Sequence, residues 1–387
     1  MIIRDLTAAA VTGGRAYAAT IAWEDADYPE QQFGFEIHDG AQDAGDPPAD
    51  AFLAGCYPLA CVHAERRLRI EAEPCPMLIE GLYTVHAWWA SWGGMPSAAP
   101  AIEARRVSAD GSSAAPRHGI AFISGGVDSL HLLLRNRRLY RQSDPAYIRE
   151  ALFIHGFDIG KRQREPEEDR FRAAFGRLAP VADETGLRLV ACRTTLRQLP
   201  SKPGFWTHRH NVGALAAVGH AAARGAAFLL VAGGYHLENP VPMGTHPAVD
   251  GLYSSQRVTV VHEGARFRRL DKIRDLANWP TALATLRVCP AATGEEMNCR
   301  ICEKCLSTRL ELLAAGIDET PALGPSLTPL ELWEAAVPVP LGHRALRYQD
   351  LLAPLRARGY DALCRMLEQK IAIYRRRVTD GLRWPDL

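Results

Sequence analysis

The residues best placed to do chemistry are Ile123-Ser124-Gly125-Gly126-Val127-Asp128-Ser129, between an apolar run and a stretch with helical spacing. Two glycines let the backbone turn sharply, so that successive N–H groups point into one concavity. The N-terminus of the helix that follows adds partial positive charge. The hydroxyls of Ser124 and Ser129 can donate to phosphate oxygens. Asp128 beside a phosphate would be repelled unless a cation bridges the two, so it is read as a magnesium ligand. No Walker lysine follows the glycines, which excludes a P-loop NTPase. The segment therefore predicts a phosphate cradle made of Ser124, Gly125, Gly126, Val127, Asp128 and Ser129, with Asp128 also taking a catalytic role.

The second constellation is Cys289 with Cys299, Cys302 and Cys305, the last three in NCRICEKC. Three thiols at two-residue spacing plus one from a nearby turn can enclose a tetrahedral ion. Zinc is the expected occupant and an iron–sulfur cluster its rival. Four thiolates close the coordination sphere, so the site is read as structural. The other cysteines, Cys56, Cys61, Cys75, Cys192 and Cys364, sit among apolar neighbours and read as small buried hydrophobes in a reducing compartment.

These residues need a scaffold, and the rest of the chain supplies its outline. A length of 387 residues suggests two or three domains. With 45 Lys plus Arg against 44 Asp plus Glu, no global field draws nucleic acid. No run of about 18 apolar residues is present, so no membrane span is expected. The N-terminus lacks a basic start with an apolar core and cleavage site, and a cytoplasmic location is the simplest expectation.

Residues 1–108 read as an α+β domain, with strands near 17–23, 32–38, 67–73 and 101–107 and helical patterns at 50–65, interrupted by Pro58, and 76–92. Trp88, Trp89 and Trp92 read as a core or interdomain contact. The Ser/Ala/Gly/Pro stretch at 108–119 is the linker candidate. Beyond it, short apolar runs at 119–124, 149–157, 187–194 and 226–233 alternate with helical stretches at 129–140, 167–186 and 211–225. That alternation predicts an α/β fold, a doubly wound and mostly parallel sheet. Residues 240–290 are less regular, and the chain from 303 onward is mostly helical.

SGGVDS resembles the PP-loop of the N-type ATP pyrophosphatases, which cut ATP between the α and β phosphates and transfer AMP to a substrate oxygen. With the Cys-x9-Cys-x2-Cys-x2-Cys pattern, the chain resembles 7-cyano-7-deazaguanine synthase and its relatives over residues 118–315. The resemblance implies an adenine nucleotide alpha hydrolase-like fold, a PP-loop domain at 118–315 with the four-cysteine metal site, and a helical C-terminal extension at 316–387 that the family member proper lacks. It implies ATP, Mg2+ and Zn2+ as cofactors. It also implies C–N bond formation: a carboxylate or amide oxygen of a 7-deazaguanine-like heteroaromatic substrate is adenylated, and ammonia or an amine then displaces AMP. Within DKIRDLA, Lys272 is nominated to face phosphate. Arg209 and Asn211 fall where the family has an Arg-Asn pair near the nucleotide, and Asp250, in HPAVDG, where it has a Pro-Asp pair that reads the deazaguanine. Trp206 and Tyr235 are candidates to stack on such a ring.

The segment GFDIGKRQREPEED and the loop 237–256 depart from the family pattern, in the substrate half of the site. Asp158, beyond the second strand, is a candidate for adenosine or a second magnesium, or else a loop cap. His208, His210, His236 and His246 lack metal-site spacing. Basic runs near 138–142 and 373–377 read as solvated helix faces. Two rivals stay open: a tRNA- or protein-modifying PP-loop enzyme whose N-terminal domain presents a macromolecule, and a non-catalytic nucleotide sensor. No glutaminase pattern is present, so the amine is expected to be free ammonia, a separate substrate or a partner's group; a partner protein or a homodimer also stays open.

Overall fold

The apolar runs after residue 117 have too few polar positions to face water on either side, and they form the buried centre of one sheet. In the computed structural model, which describes residues 1–93, 95–96, 98–105, 118–160, 165–238, 241–289, 296–325 and 344–379, the chain forms two compact units. The first contains Met1–Ser124, Arg135–Gly233 and Pro242–Glu263, and the second Gly125–Leu134, Gly234–Val241 and Gly264–Leu387.

The first unit holds the sheet. Its strands are β1 (Ile2–Val11), β2 (Gly14–Ala22), β3 (Gln31–His38), β4 (Arg67–Ile70), β5 (Ala101–Ala104), β6 (His118–Phe122), β7 (Ile148–His155), β8 (Arg188–Thr194), β9 (Ala226–Ala232) and β10 (Thr259–Glu263). They lie in the order β10-β9-β6-β7-β8-β3-β2-β1-β4-β5. The five strands from β10 to β8 are parallel, as a sheet built from strand–helix–strand crossovers must be. Numbered along the chain, their order is that of a doubly wound sheet, and it reverses between β6 and β9.

The N-terminal strands continue this sheet. β3 pairs antiparallel with β8, Ile37 opposite Cys192 and Phe35 opposite Thr194. β2 and β1 follow antiparallel, then β4 and β5 parallel. Strands on both sides of the 108–119 stretch thus share one sheet; residues 106–117 lie outside the described residues.

Helix α1 (Ala49–Val62) is buried from Ala51 to Val62, which fits its lack of a polar face. The sequence reads Pro58 as an interruption, yet α1 runs through it. It packs on α6 (Asn211–Ala222), where a Cβ at Gly213 would meet Pro58 Cγ at 2.9 Å and the Ala54 carbonyl at 3.0 Å. The glycine lets the two helices approach closely enough for packing to offset the bond Pro58 cannot make. In α2 (Pro76–Ser91) Trp89 is fully buried, while Trp88 is exposed and its ring lies 5.8 Å from that of Trp92. The helical pattern at 167–186 is two helices, α4 (Glu165–Gly176) and α5 (Ala179–Thr185). Pro180, in the first turn of α5, cannot continue a helix from α4 but suits a helix start.

The second unit is mainly helical. It takes in the start of α3, which spans Val127–Leu139 as a whole, followed by α7 (Arg269–Leu276), α8 (Pro280–Thr285), α9 (Glu303–Ala314), α10 (Arg344–Ala357) and α11 (Asp361–Thr379). The long C-terminal pattern is broken at Gly359, whose φ of 81° suits only glycine at low cost. Leu270, Leu306, Leu310, Leu313, Tyr348, Leu351, Leu355 and Leu367 form its core. No helix among the described residues is long and apolar enough to cross a membrane.

Candidate active site and metal centre

The loop that leaves β6 turns at Gly125, whose φ of 75° is left-handed. Its carbonyls are held by protein donors. Arg287 N–H donates to Gly125 O at 2.7 Å, and Leu130 N–H and the Ser129 hydroxyl donate to Gly126 O at 3.0 and 3.1 Å. Fixing the carbonyls in this way sets the direction of the peptide units between them, which is what an anion cradle requires. Asp128 stands in the first turn of α3.

Helix periodicity then builds a network in the second unit. Arg269 and Lys272 are three residues apart on one face of α7, so both reach Asp128. Lys272 Nζ donates to Asp128 Oδ1 at 2.7 Å and Arg269 Nη1 to Asp128 Oδ2 at 2.9 Å. Three residues further along each helix, His131 Nε2 lies 2.9 Å from Asp275 Oδ2. On α9, Thr308 and Glu311 share a face. Glu311 Oε2 accepts from Arg269 Nε at 2.9 Å and Thr308 Oγ1 from Arg269 Nη2 at 3.5 Å. Asp271 accepts the Arg268 N–H at 3.2 Å and so caps α7.

Burial alone would push the Asp128 carboxyl up, but Lys272 and Arg269 outweigh it and hold the pKa well below the usual carboxylate range. Burial disfavours the Arg269 charge, yet Glu311 and Asp128 more than offset it. Asp128 is therefore a fixed anion. Each of its oxygens keeps a lone pair beyond the ion pair, and one carboxylate plus phosphate oxygens is a suitable donor set for magnesium.

Lys272, nominated from the sequence, is thus brought onto Asp128. Arg269, Glu311 and Asp275 were missed. The first had a signal: in RLDKIRDL it precedes Lys272 by three residues, which places it on the same helical face.

The four cysteines also meet. Their sulfurs all lie within 4.8 Å of one another. Cys302 Sγ is 3.6 Å from Cys289 Sγ and 3.5 Å from Cys305 Sγ. Zinc–thiolate bonds in a tetrahedron would set sulfurs about 3.8 Å apart, so the group can hold a metal ion such as zinc. Asn298 joins the segments: its Oδ1 accepts from the Val288 and Cys289 N–H groups at 2.9 and 3.3 Å, and its Nδ2 donates to Leu286 O and Ala322 O. Burial works to raise the Cys299 thiol, but the N–H groups of Ile301 and Cys302 bring it down to about 7, which eases loss of its proton to a metal. Cys302 is the N-cap residue of α9 and Cys305 lies in its first turn, so a metal held by these thiols would anchor the helix that carries Thr308 and Glu311. Among the described residues, no group able to hold a metal contains His208, His210, His236 or His246.

The remaining candidates lie apart from this network in the sequence. In the first unit, Asp158 is exposed beyond β7. Its neighbour Phe157 accepts from Arg197 Nη1 at 2.8 Å through its carbonyl, and the Arg197 guanidinium sits 4.0 Å from the ring centre of Trp206. Trp206 also packs edge-on to Phe157 and His210. Arg209 Nη2 donates to Gly93 O at 2.9 Å, and Asn211 opens α6. Asp250 is fully buried. One oxygen accepts from the His246 N–H at 2.8 Å, and the other lies 2.7 Å from His262 Nδ1. Both oxygens thus have partners inside the protein. In the second unit, Tyr235 is an electrostatic neighbour of Arg347.

No protein-family model, no curated protein and no solved structure matches the chain.

Proposed function

We propose that the chain is an AMP-forming, ATP-dependent ligase of the PP-loop type. The supporting observation is the seating of SGGVDS. It leaves β6 where the strand order reverses, the place at which open α/β sheets bind ligands, and its Asp128 is met by Lys272, the residue the resemblance independently nominates. In this reading the loop and Lys272 hold the triphosphate. A carboxylate or amide oxygen of a heteroaromatic substrate attacks the α-phosphorus and pyrophosphate leaves. Ammonia or an amine then displaces AMP. The protein supplies position and charge rather than a covalent nucleophile. Mg2+, held by Asp128, would neutralise phosphate charge. Zn2+ on the four cysteines would be structural.

The test is exchange of labelled pyrophosphate into ATP, with 7-carboxy-7-deazaguanine as the trial acid. Acid-dependent exchange is expected. Exchange with a different acid alone would keep the chemistry and overturn the substrate class. Tight ATP binding without exchange or turnover would favour the sensor reading, and salt-sensitive RNA affinity the macromolecular one.

A further inference from the structure

β7 and β8 are parallel and paired, with His155 opposite Arg193. The segments that leave them therefore start at one carboxyl edge of the first unit, where open α/β sheets bind ligands. A Cβ on Gly156, the first residue beyond β7, would stand 2.0 Å from the Thr194 carbonyl oxygen at the end of β8, which measures how closely the two segments lie. The next carbonyl, that of Phe157, accepts from Arg197 Nη1 at 2.8 Å. Arg197 belongs to the short turn Leu196–Gln198 that follows β8. Gly156 and Phe157 open GFDIG, part of the stretch in which the chain departs from the family pattern.

A second contact fixes the plane of the guanidinium, which sits 4.0 Å from the ring centre of Trp206. Trp206 opens a π-helical turn, Trp206–His210, in which the Asn211 N–H reaches back to the Trp206 carbonyl; such turns are frequent at functional sites. Phe157 and His210 brace the ring edge-on, with ring centres 4.8 and 5.6 Å away. One face of Trp206 is thus covered by Arg197, and what a ligand meets there is the guanidinium. Its Nη1 is taken by Phe157. Nε and Nη2, the donors along its other edge, have no acceptor among the described residues, and in this half-buried side chain neither is sealed from solvent. Nearby Arg193 is paired with Glu168 through two bonds of 2.6 Å. Asp158 interacts electrostatically with Arg197, but it is exposed, and among the described residues no ion pair joins the two.

We infer that Arg197, laid on Trp206, binds the carboxylate of a planar acid through its Nε–Nη2 edge, and that this acid is the acceptor of the ligase reaction. The inference rests on the proposed ligase reading and adds to it which residue recognises the reacting group. The fork of a guanidinium matches the spacing of two carboxylate oxygens. Such a pair uses two of about four lone-pair sites, so an oxygen held there keeps a lone pair with which to attack phosphorus. Because the Phe157 carbonyl and the Trp206 ring already hold the guanidinium, little further ordering is needed on binding. Burial works against the Arg197 charge and lowers its pKa, with Asp158 working the other way, and a bound carboxylate would relieve that opposition. The same fork suits two phosphate oxygens, so the test separates the two anions.

The test is calorimetric titration of the full-length, metal-loaded protein with 7-carboxy-7-deazaguanine, its uncharged carboxamide and inorganic phosphate, run beside exchange of labelled pyrophosphate into ATP. Wild type should prefer the acid to the amide. Arg197→Gln should bind the acid about tenfold more weakly and the amide as wild type does, with Arg197→Lys between the two for the acid. Damage to the fold would weaken both ligands together. Far-UV circular dichroism checks that each variant is folded, and the lysine variant keeps the comparison if the glutamine one is not. The carboxylate role would be overturned if wild type bound neither acid nor amide, or both equally. It would also be overturned by an acid affinity unchanged in a folded Arg197 variant, or by Arg197-dependent binding of phosphate alone. Acid-dependent exchange would in each case leave the ligase reading intact. An Arg197-dependent preference for the acid without exchange would support the carboxylate role and overturn the ligase reading.

Discussion

Lys272 Nζ lies 2.7 Å from Asp128 Oδ1, joining the first turn of α3 to α7 through a lysine whose side chain is 2% exposed. The partner that neutralises Lys272 is the residue read from the sequence as a magnesium ligand. Two demands therefore meet on one carboxylate.

That coupling alters what Asp128→Asn should do. The sequence alone predicts lost magnesium-dependent turnover with an intact fold. In the structure the change also leaves Lys272 and Arg269 without their shared anion. Removing one member of a buried ion pair is costly, here on the order of 2 kcal/mol because Asp128 keeps some exposure. Denaturant unfolding should show that loss together with the loss of AMP formation. Unchanged stability would contradict the network, and unchanged turnover the catalytic role.

Metal removal should act at a distance. One zinc per chain is expected by elemental analysis, whereas iron with labile sulfide would contradict it. Cys302→Ser should lower thermal stability, because structural metal binding contributes directly to folding. Since Cys302 and Cys305 begin the helix that carries Glu311, chelation should also weaken turnover without any cysteine touching substrate. Full activity in a stable, metal-free protein would refute the anchoring role.

The family resemblance predicts that Asp250→Ala weakens the acceptor substrate and spares ATP. The structure adds a stability cost, because the change strips the His246 N–H and His262 Nδ1 of a buried partner. A loss of roughly 1–3 kcal/mol should appear on unfolding. A variant as stable as wild type would show that the Asp250–His262 pair contributes nothing to the fold.

His210 predicts an acid limit. Burial lowers its pKa from 6.5 to about 4, while its Nε2 lies 2.9 Å from Gly55 O. The unfolded chain therefore binds a proton that the folded one resists. Stability is fully present above pH 6.5 and falls as the pH drops toward 4, approaching one proton's slope, about 1.4 kcal/mol per pH unit. Melting temperatures across this window should fall less steeply for His210→Gln than for wild type; equal slopes would refute the assignment.

The parts of the fold that were legible are those whose signal is local. The apolar runs of β6 to β9 and the helices between them are periodic over single segments. β1 was not foreseen, because TAAAV offers little contrast between its faces. The joining of the two sets of strands through β3 and β8 was illegible for another reason: it pairs Ile37 with Cys192, and no local pattern encodes so distant a register. At the site, SGGVDS and the cysteine spacing carried their chemistry openly. Arg269 was readable from its offset to Lys272. Glu311 became visible only once α9 packed beside α7.

The central claim is that ATP is cut between its α and β phosphates. The most direct measurement is the product pair when the metal-loaded protein turns over ATP with a panel of heteroaromatic acids and ammonia, separated by anion-exchange chromatography. AMP and pyrophosphate in equal amounts are the predicted result, and ADP and orthophosphate as the sole products would contradict it.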